Sequence, residues 1–426
     1  MRRIILQEPR QIHPFNEPAR DLRVHNVPLW LWQRDLLNPF VTEESEYPCW
    51  EEALIAERDD PVELLIHRDN LFFNAPFIEE FLRLARDSGR PSRAALRTDD
   101  PAVSQHILPL TQSLERANGL LLTDLWYLPN GIMQKEAART IVVETGAREV
   151  GYYHVPPYMA TEMGDLVYQL PRRALVAIES WVHLFVVDIL FGVFARGKAL
   201  EERVEFDWRF RLKVLYRAML EQKRVLDCSE LVNVGQNVTI DPSAVIHGPT
   251  TIGNNVTIGP GAVIDNCLIG DNVNISQGCN LMLSIVGDGC FLPFNAALFM
   301  TLLMENTMVA QNTCLQLCVV GRDTFVGAGT TFTDFKVLSG PLRASSAMGP
   351  LLDTEMFVLG GCVGHHCRLS SGLTIYPART IESDVVLLGN SGRHYITDDV
   401  RYEDSDYHHF ASGYEYPRLY PRQGGL

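Results

Sequence analysis

An aliphatic residue recurs at a short, fixed interval through the second half of this 426-residue chain. The interval is six residues from Val234 onward, and between Ile258 and Val337 it follows six, six and five, a period of seventeen. The six-residue step resumes from Val363 to Leu387. A period this short predicts a solenoid in which each turn of the chain stacks on the one before it.

A second column of small or β-branched residues stands two positions before the aliphatic column. Residues two apart on a strand share a face, so we expect both columns to point inward. Gly and Asn recur between the strands, at corners where left-handed backbone angles are needed. The pattern resembles the hexapeptide-repeat transferases, which implies a left-handed parallel β-helix over residues 231–390. Five cysteines fall in the inward column and are predicted to be core residues: Cys267, Cys279, Cys290, Cys318 and Cys367.

Four aliphatic side chains are predicted to point outward in a single stack, one per turn of the solenoid. These residues are Leu268, Ile285, Leu302 and Val319. Because a monomer rarely tolerates such an exposed ladder, we expect a neighbouring subunit or the N-terminal domain to cover it. The resemblance to hexapeptide-repeat transferases implies a homotrimer.

The repeat is interrupted between Val337 and Val363, where the chain carries an insertion rich in Gly and Pro. Residues 338–357 are predicted to leave the prism as an extruded loop. In the transferases that this chain resembles, such loops often close over an active site. A surface insertion without a chemical role is the alternative.

The composition is that of a soluble globular chain, 46% hydrophobic and 21% charged, with a formal net charge of -15. Such a surface should repel nucleic acid and anionic lipid. The opening MRRIILQEPR lacks the apolar core of a secretory signal, which predicts a cytoplasmic location and reduced thiols. The apolar stretch 174–194 carries Glu179, His183 and Asp188, so we expect a buried helix and no membrane span.

Residues 1–230 show no repeat and are predicted to form an α/β domain. Strands are indicated at Arg3–Leu6 and Val62–Ile66, and helical periodicity at 74–86. The stretch 63–82 resembles the sugar nucleotidyltransferases, in which a strand ends in a metal-binding aspartate. The resemblance implies that Asp69 is that aspartate and that Mg²⁺ is its metal. The two regions together resemble the bifunctional N-acetylglucosamine-1-phosphate uridyltransferase and glucosamine-1-phosphate acetyltransferase family.

One motif of the nucleotidyltransferases is missing from this chain. Those enzymes carry a glycine-rich loop after the first strand, whose main-chain amides hold the nucleotide phosphates. Here the sequence after Leu6 reads QEPRQ, and the first glycine is Gly89. We therefore predict a degenerate nucleotidyl-transfer site. The alternative for Asp69 is an ordinary solvated carboxylate at a strand end.

Histidines at the corners of the prism are the candidates for acyl-transfer chemistry, in which a histidine or carboxylate acts as general base. His365 and His366 follow the insertion directly, and His366 is the leading candidate for the catalytic base. His247 is a further candidate, and solvated corner histidines are the alternative. A carbonic anhydrase of the γ type would need three histidine ligands, and the sequence has none between His247 and His365.

Residues 391–426 leave the period and are rich in tyrosine, which suits a tail packed on the prism or on another subunit. The leading hypothesis is a transferase of sugar-nucleotide metabolism. It would move an acyl group from acetyl-coenzyme A or another acyl-coenzyme A to a sugar phosphate or nucleotide sugar. Two alternatives stay open: an active sugar-1-phosphate nucleotidyltransferase, and a non-catalytic trimeric scaffold or sugar-nucleotide-binding regulator.

Overall fold

The computed structural model describes residues 1–57, 61–154, 165–336, 342–345, 349–390, 392–409 and 416–423. The chain divides into two units. The first contains Met1–Ile12, Glu17–Leu184 and Leu352–Glu355, and the second contains His13–Asn16, Phe185–Leu351 and Met356–Leu426. A short segment near the N-terminus therefore belongs to the second unit.

A mixed sheet of seven strands forms the centre of the first unit. Its order is Arg139–Val142, Ser92–Arg97, Leu120–Leu128, Leu64–Arg68, Arg2–Leu6 and Glu43–Tyr47, with Glu115–Ala117 paired to Leu120–Leu128. The strand Arg2–Leu6 runs parallel to both of its neighbours, so three strands end at the same edge of the sheet. The strand Leu120–Leu128 is antiparallel to its neighbours.

Three α-helices accompany this sheet, and the predicted α/β layer is confirmed. They are Leu29–Leu37, Trp50–Ala56 and Ala75–Ser88. The last of these begins where Asn74 Oδ1 accepts a hydrogen bond from the Phe77 N–H at 3.1 Å. It ends at Gly89, whose φ of 59° suits a residue without Cβ. The remaining strand pairs of this unit are Leu71–Phe73 with Leu175–Ala177, Arg148–His154 with Asp165–Leu170, Gln11–Ile12 with Glu17–Pro18, and Arg23–Val24 with Val27–Pro28.

The second unit contains three parallel sheets of eight strands each, which wind as a left-handed parallel β-helix. The first sheet is Val232–Val234, Thr250–Ile252, Leu268–Ile269, Ile285–Val286, Leu302–Leu303, Val319–Val320, Cys362–Val363 and Thr380–Ile381. The second is Thr239–Ile240, Thr257–Ile258, Asn274–Ile275, Phe291–Leu292, Met308–Val309, Phe325–Val326, Arg368–Leu369 and Val386–Leu387. The third is Val245–His247, Val263–Asp265, Asn280–Met282, Ala297–Phe299, Cys314–Gln316, Thr331–Phe332, Thr374–Ile375 and Tyr395–Ile396.

The predicted register is confirmed, because aliphatic residues one period apart are direct partners in neighbouring strands. Ile258 pairs with Ile275 and Ile264 with Leu281, and all four are buried in one continuous core. The five cysteines of the inward column are buried in the same core, as predicted. Burial raises the pKa of Cys267 to about 12, so this thiol has little tendency to ionise.

The predicted outward ladder is covered. The covering segment belongs to the predicted N-terminal region 1–230, which was one of the two expected coverings, although the structure groups it with the prism. Ile285, Leu302 and Val319 are fully buried, and Leu268 is half-buried. The helical segment Val186–Phe194 lies in the same unit and contacts the strand Ile285–Val286. Because the unit covers this strand with its own helix, the ladder no longer argues for a trimer.

The helices of the second unit follow one another directly in sequence. They are the π-helical segment Val186–Phe194 and the α-helices Ala195–Phe206 and Trp208–Glu221, preceded by the turn of helix Trp181–Phe185 at the unit boundary. Short helical turns occur at Ala19–Asp21, Val103–Ile107, Lys135–Ala137, Val225–Asp227, Tyr402–Asp404 and Asp406–His409. Across the described ranges, no helix combines the length and the apolar character needed to cross a membrane.

The insertion leaves the prism between two adjacent turns, because Val319–Val320 pairs directly with Cys362–Val363. Its described part contains the strands Arg343–Ser345 and Leu351–Asp353. Residues 338–341 and 346–348 of the predicted loop lie outside the described residues. Closure of this loop over an active site stays a prediction.

Candidate functional site

Two columns of residues run along the corner that joins the first sheet of the prism to the second. In the acceptor column, side chains of successive turns accept main-chain N–H groups from the turn before: Asp288 Oδ1 accepts from Asp271 at 2.8 Å. The side chains that accept in this way are those of Asn254, Asp271, Asp288, His365 and Ser383, and the same position of the other turns is held by Gln236, Glu305 and Arg322. The left-handed column is formed by the next residue of each turn, and all its members have positive φ. They are Asn237, Asn255, Asn272, Gly289, Asn306, Asp323, His366 and Asp384.

His365 belongs to the acceptor column and has a structural role there. Its Nδ1 accepts a hydrogen bond from the Arg322 N–H at 2.9 Å, as carboxylate and amide oxygens do on earlier turns. Its ring is fully buried between Phe15, at a ring distance of 4.9 Å, and Tyr420, at 4.7 Å. The structure therefore places His365 in the scaffold, although the sequence named it as a candidate base.

His366 stands in the left-handed column, where every other member is Asn, Asp or Gly. Histidine, like Asn and Asp, is enriched among the non-glycine residues that adopt positive φ, and His366 has a φ of 53°. His366 Nδ1 lies 2.8 Å from Asp384 Oδ1, on the following turn of the prism. The imidazole is 12% exposed and the carboxylate fully buried, which is the arrangement of a base oriented by an acid.

Asp384 and His366 are held by the C-terminal tail. Asp384 Oδ2 accepts the Tyr420 N–H at 2.7 Å, so both carboxylate oxygens have partners. The Tyr416 ring stacks on the His366 ring at 4.4 Å with an interplanar angle of 1°, and its hydroxyl donates to the His366 carbonyl. The described tail thus packs on its own prism, which was one of the two arrangements predicted. Tyr414 lies outside the described residues.

His247 lies far from this pair. It ends a strand of the first turn, with Nε2 at 3.2 Å from Asp227 Oδ1 and Nδ1 at 3.6 Å from Asp265 Oδ2. Six turns separate it from His366, or roughly 29 Å at the spacing of parallel strands. The structure therefore does not bring the two histidines together, and His247 contacts Asp227 and Asp265 at its own corner.

Asp69 lies in the first unit, directly after the strand Leu64–Arg68. It is buried rather than solvated: Oδ1 accepts the Glu8 N–H at 2.9 Å, and Oδ2 lies 3.2 Å from Arg20 Nη1. Burial raises the pKa of this carboxyl from its ordinary 3.8 to about 6. Both oxygens of Asp69 are therefore engaged by the protein itself.

Glu8 occupies the place where the nucleotidyltransferases have their glycine-rich loop. Its carboxylate pairs with Arg10 at 2.8 Å and with Arg68 at 2.7 Å. Asp124 similarly pairs with Arg68 at 2.6 Å and Arg93 at 3.3 Å. The cations at this edge of the sheet are thus matched by carboxylates, which leaves less positive field for a phosphate.

A cavity of about 640 Å³ opens at the same edge of the sheet. Its walls include Arg68, Arg93, Asp124, Trp126 and Lys135. Such a volume suits a small molecule, and aromatic walls with a few charged groups are usual in binding sites. Asp69 is not among the residues that line this cavity, and Asp124 and Arg93, which do line it, come from distant strands.

The described residues do not fit a magnesium site at Asp69. Mg²⁺ prefers several oxygen ligands in octahedral geometry, with carboxylates free to coordinate it. Within the part of the chain that the structure describes, no group of three or more His, Cys, Asp or Glu side chains could hold a metal ion. Arg20 instead forms an ion pair with the carboxylate of Asp69, so this carboxylate is not free to coordinate Mg²⁺.

Two site residues that the sequence did not reveal are Asp384 and Tyr416. A signal for Asp384 was present, since it lies eighteen residues after His366, one turn of the prism further along. Tyr416 carried no such signal, because the tail has no period from which its partner could be read.

Comparison with known proteins relates part of the prism to the sugar nucleotidyltransferases. Residues 228–297 match a family model described as the GMPPB C-terminal domain. This match spans well under half of the chain and does not reach His366. No curated protein matches the chain.

Two solved structures are similar to part of this chain. One is a UDP-N-acetylglucosamine acyltransferase from Campylobacter jejuni, with 18% identity over 38% of this chain and 62% of its own, and a TM-score of 0.24. The other is described as a "putative acetyltransferase" from Desulfovibrio desulfuricans G20. It has 19% identity over 39% of this chain and 26% of its own, and a TM-score of 0.18. This chain therefore spans about three fifths of the first structure, and neither likeness carries an argument about function.

Proposed function

We propose that this protein is an acyltransferase of sugar-nucleotide metabolism, with His366 as its general base. The observation that supports this most directly is the His366–Asp384 pair, because it stands at a corner where every other turn carries Asn, Asp or Gly. An imidazole oriented by a buried carboxylate is a means of activating a hydroxyl or an amine.

The proposed reaction uses an acyl-coenzyme A as cosubstrate. The acceptor hydroxyl or amine attacks the thioester carbonyl carbon while His366 Nε2 takes its proton. The carbon–sulfur bond then breaks, and the departing thiolate of coenzyme A receives that proton. Asp384 keeps the Nδ1–H directed toward its Oδ1, so that Nε2 carries the lone pair, and it stabilises the imidazolium between the two transfers.

The acceptor in this proposal is a sugar phosphate or a nucleotide sugar. The match of residues 228–297 to a domain of the sugar nucleotidyltransferases supports the sugar class. We propose that the first unit binds a sugar phosphate or a nucleotide sugar but does not catalyse nucleotidyl transfer. Glu8 replaces the glycine-rich loop, and Arg20 engages the carboxylate of Asp69. A homotrimer remains part of the proposal on the sequence resemblance alone, and a cytoplasmic location remains part of it as a prediction from the sequence.

The test is release of free coenzyme A from acetyl-coenzyme A, measured with a panel of sugar phosphates, amino sugars and nucleotide sugars. We expect His366→Asn to lower kcat by roughly 10²–10⁴-fold, the usual contribution of a general base. Asn fits the left-handed column, so the variant should keep its fold. Asp384→Asn should also lower kcat, because the imidazole loses its charged partner.

The matched control is His365→Asn, which changes the adjacent histidine to a residue that can accept the Arg322 N–H. We expect it to lower the melting temperature through lost contacts with Phe15 and Tyr420, while folded enzyme keeps its kcat. Equal loss of kcat in both variants would contradict the role assigned to His366.

The alternatives are separated by ligand binding. If millimolar acetyl-coenzyme A and coenzyme A leave the melting temperature unchanged while sugar nucleotides raise it, the protein is a non-catalytic binder. Formation of pyrophosphate from UTP and a sugar 1-phosphate, lost in Asp69→Asn, would instead establish an active nucleotidyltransferase.

A further inference from the structure

Arg368 differs from the other residues that face outward on the second sheet of the prism. Each of the eight strands has one such residue, and the register places them in a single column. The column consists of Thr239, Thr257, Asn274, Phe291, Met308, Phe325, Arg368 and Val386. Arg368 is the only charged residue of this described column, and it follows His366 by two positions on the same turn. The column therefore carries a cation only where the proposed base stands.

The guanidinium of Arg368 is held at one of its nitrogens and open at the other two. Nη1 donates to the Asp323 carbonyl at 2.6 Å and to the Cys367 carbonyl at 3.0 Å. Cζ lies over the Tyr416 ring, 5.9 Å from its centroid, and such stacking fixes the plane of a guanidinium. Among the described residues, Nε and Nη2 have no hydrogen-bond partner. A fixed fork with three N–H donors is therefore left on a half-buried side chain.

The charge of Arg368 is also unmatched within the described part of the chain. Its contacts there are main-chain carbonyls and an aromatic ring, and no described carboxylate forms an ion pair with it. By contrast, Arg322 pairs with Glu305 at 3.2 Å. Arg393 pairs with Asp406 at 2.9 Å. Because the chain has a net charge of -15, a phosphate needs a local positive group in order to bind, and Arg368 supplies one.

We infer that Arg368 binds a phosphate group of a substrate on which His366 acts, an inference that rests on the proposed function. A guanidinium edge donates two parallel hydrogen bonds to a phosphate. His366 and Arg368 lie against the same Tyr416 ring, at 4.4 Å and 5.9 Å from its centroid, so one small molecule can contact both. Both proposed substrates carry phosphate, the sugar acceptor and the acyl-coenzyme A, and the test separates these two sources.

The test is equilibrium binding to wild type and to Arg368→Gln, measured by isothermal titration calorimetry. The probes form two pairs: glucosamine 1-phosphate with glucosamine, and coenzyme A with pantetheine, which carries no phosphate. We expect Arg368→Gln to weaken the binding of one phosphorylated probe by roughly 10–100-fold, the usual contribution of a charge-assisted hydrogen bond. Its phosphate-free partner should bind both proteins equally. The pair that responds identifies the source of the phosphate.

Two further variants separate phosphate binding from a structural role of Arg368. Arg368→Lys keeps the charge and loses the fork, so we expect an affinity for the phosphorylated probe between those of Arg368→Gln and wild type. Arg393→Gln is the matched control, because it removes the same charge from a guanidinium that is already paired with Asp406. An equal loss of affinity in Arg393→Gln would overturn the inference. So would wild type that binds neither phosphorylated probe more tightly than its phosphate-free partner.

Failure of this inference and failure of the proposed function give different results. If wild type releases no coenzyme A with any acceptor while Arg368→Gln still weakens a phosphorylated probe, acyl transfer is wrong and the phosphate site stands. If acyl transfer proceeds with the same KM for both substrates in wild type and Arg368→Gln, acyl transfer stands and the phosphate site is wrong.

Discussion

Asp69 comes directly after the strand Leu64–Arg68 and His366 three residues after the strand Cys362–Val363, yet their surroundings give them different chemistry. Asp69 is buried with Arg20 and the Glu8 N–H on its two oxygens. His366 is partly exposed, and only its Nδ1 faces a carboxylate. A side chain whose polar atoms all contact the protein can contribute to stability, whereas a partly exposed imidazole can also contact a substrate. The two residues therefore differ in what they can do, although both looked like site residues in the sequence.

The burial of Asp69 predicts a pH-dependent stability that Asp69→Asn should remove. Its pKa of about 6 lies above the ordinary 3.8, so the folded state binds the proton more tightly than the unfolded state. Stability from this group is therefore present at low pH and is lost as the pH rises from about 4 to about 6. We expect the melting temperature of Asp69→Asn, relative to wild type, to rise over this window and stay level above it.

The exposed carboxylate Asp35 supplies the control for this measurement, because Asp35→Asn removes the same charge from a solvated position. A flat difference between Asp69→Asn and wild type from pH 4 to 7 would show that the carboxyl is not buried in solution. Addition of Mg²⁺ should leave both curves unchanged, because Arg20 and the Glu8 N–H already engage the carboxylate.

At the scale of elements, one apolar helix explains two features that the sequence left separate. The stretch 174–194 is long enough to span a membrane, and the ladder on the first sheet is too apolar to be left exposed to solvent. The segment Val186–Phe194 contacts the ladder strand Ile285–Val286, and Asn266 Nδ2 donates to the Val193 carbonyl at 3.1 Å. Each apolar surface therefore removes the other from solvent.

This contact predicts that Ile285→Ala is strongly destabilising. The side chain is fully buried on the outer face of the first sheet, so truncation leaves a cavity and costs about 2–4 kcal/mol in the free energy of unfolding. Phe291→Ala is the control, since Phe291 lies on the same turn but is 40% exposed on the second sheet. We expect it to cost under about 1 kcal/mol. Equal losses by chemical denaturation would mean that the helix does not cover Ile285.

At the scale of the whole molecule, segments from both ends of the chain meet on the last turn of the prism. Glu382 is buried and accepts hydrogen bonds from Asn16 Nδ2 at 2.8 Å and from Arg422 Nε at 2.7 Å. Ser383 Oγ donates to the Pro14 carbonyl at 3.0 Å. The turn that carries Asp384 is thus held from two sides, which preorganises the His366–Asp384 pair.

Removal of the Arg422 guanidinium should loosen this assembly. Arg422→Ala leaves Glu382 buried without its closest cation, and we expect a loss of about 1–2 kcal/mol because Asn16 still contacts the carboxylate. Arg418→Ala is the matched control, since Arg418 lies 3.8 Å from the same oxygen. Limited proteolysis should cut the tail of Arg422→Ala faster than that of wild type. Equal cleavage of the two variants and wild type would contradict a tail fixed by Glu382.

How much of the site was predictable differs between its residues. His366 was identified from its place after the insertion, but its partner Asp384 and its stacking neighbour Tyr416 were not. Asp69 was found from the resemblance of its strand, yet the alternative of a solvated carboxylate was wrong, because Arg20 and Glu8 come from segments with no readable relation to it. The adjacent histidines looked alike in the sequence and differ in burial and in contacts, since successive residues at a corner point in different directions.

The period of seventeen by itself determined the prism, its register and the burial of its cysteines, because a repeated local pattern repeats its local geometry. The tertiary structure alone decided which helix covers the ladder, which of the two histidines stays partly exposed to solvent and which carboxylates pair with arginine side chains. Those outcomes depend on contacts between segments far apart in the chain, and no periodic signal in the sequence specifies them.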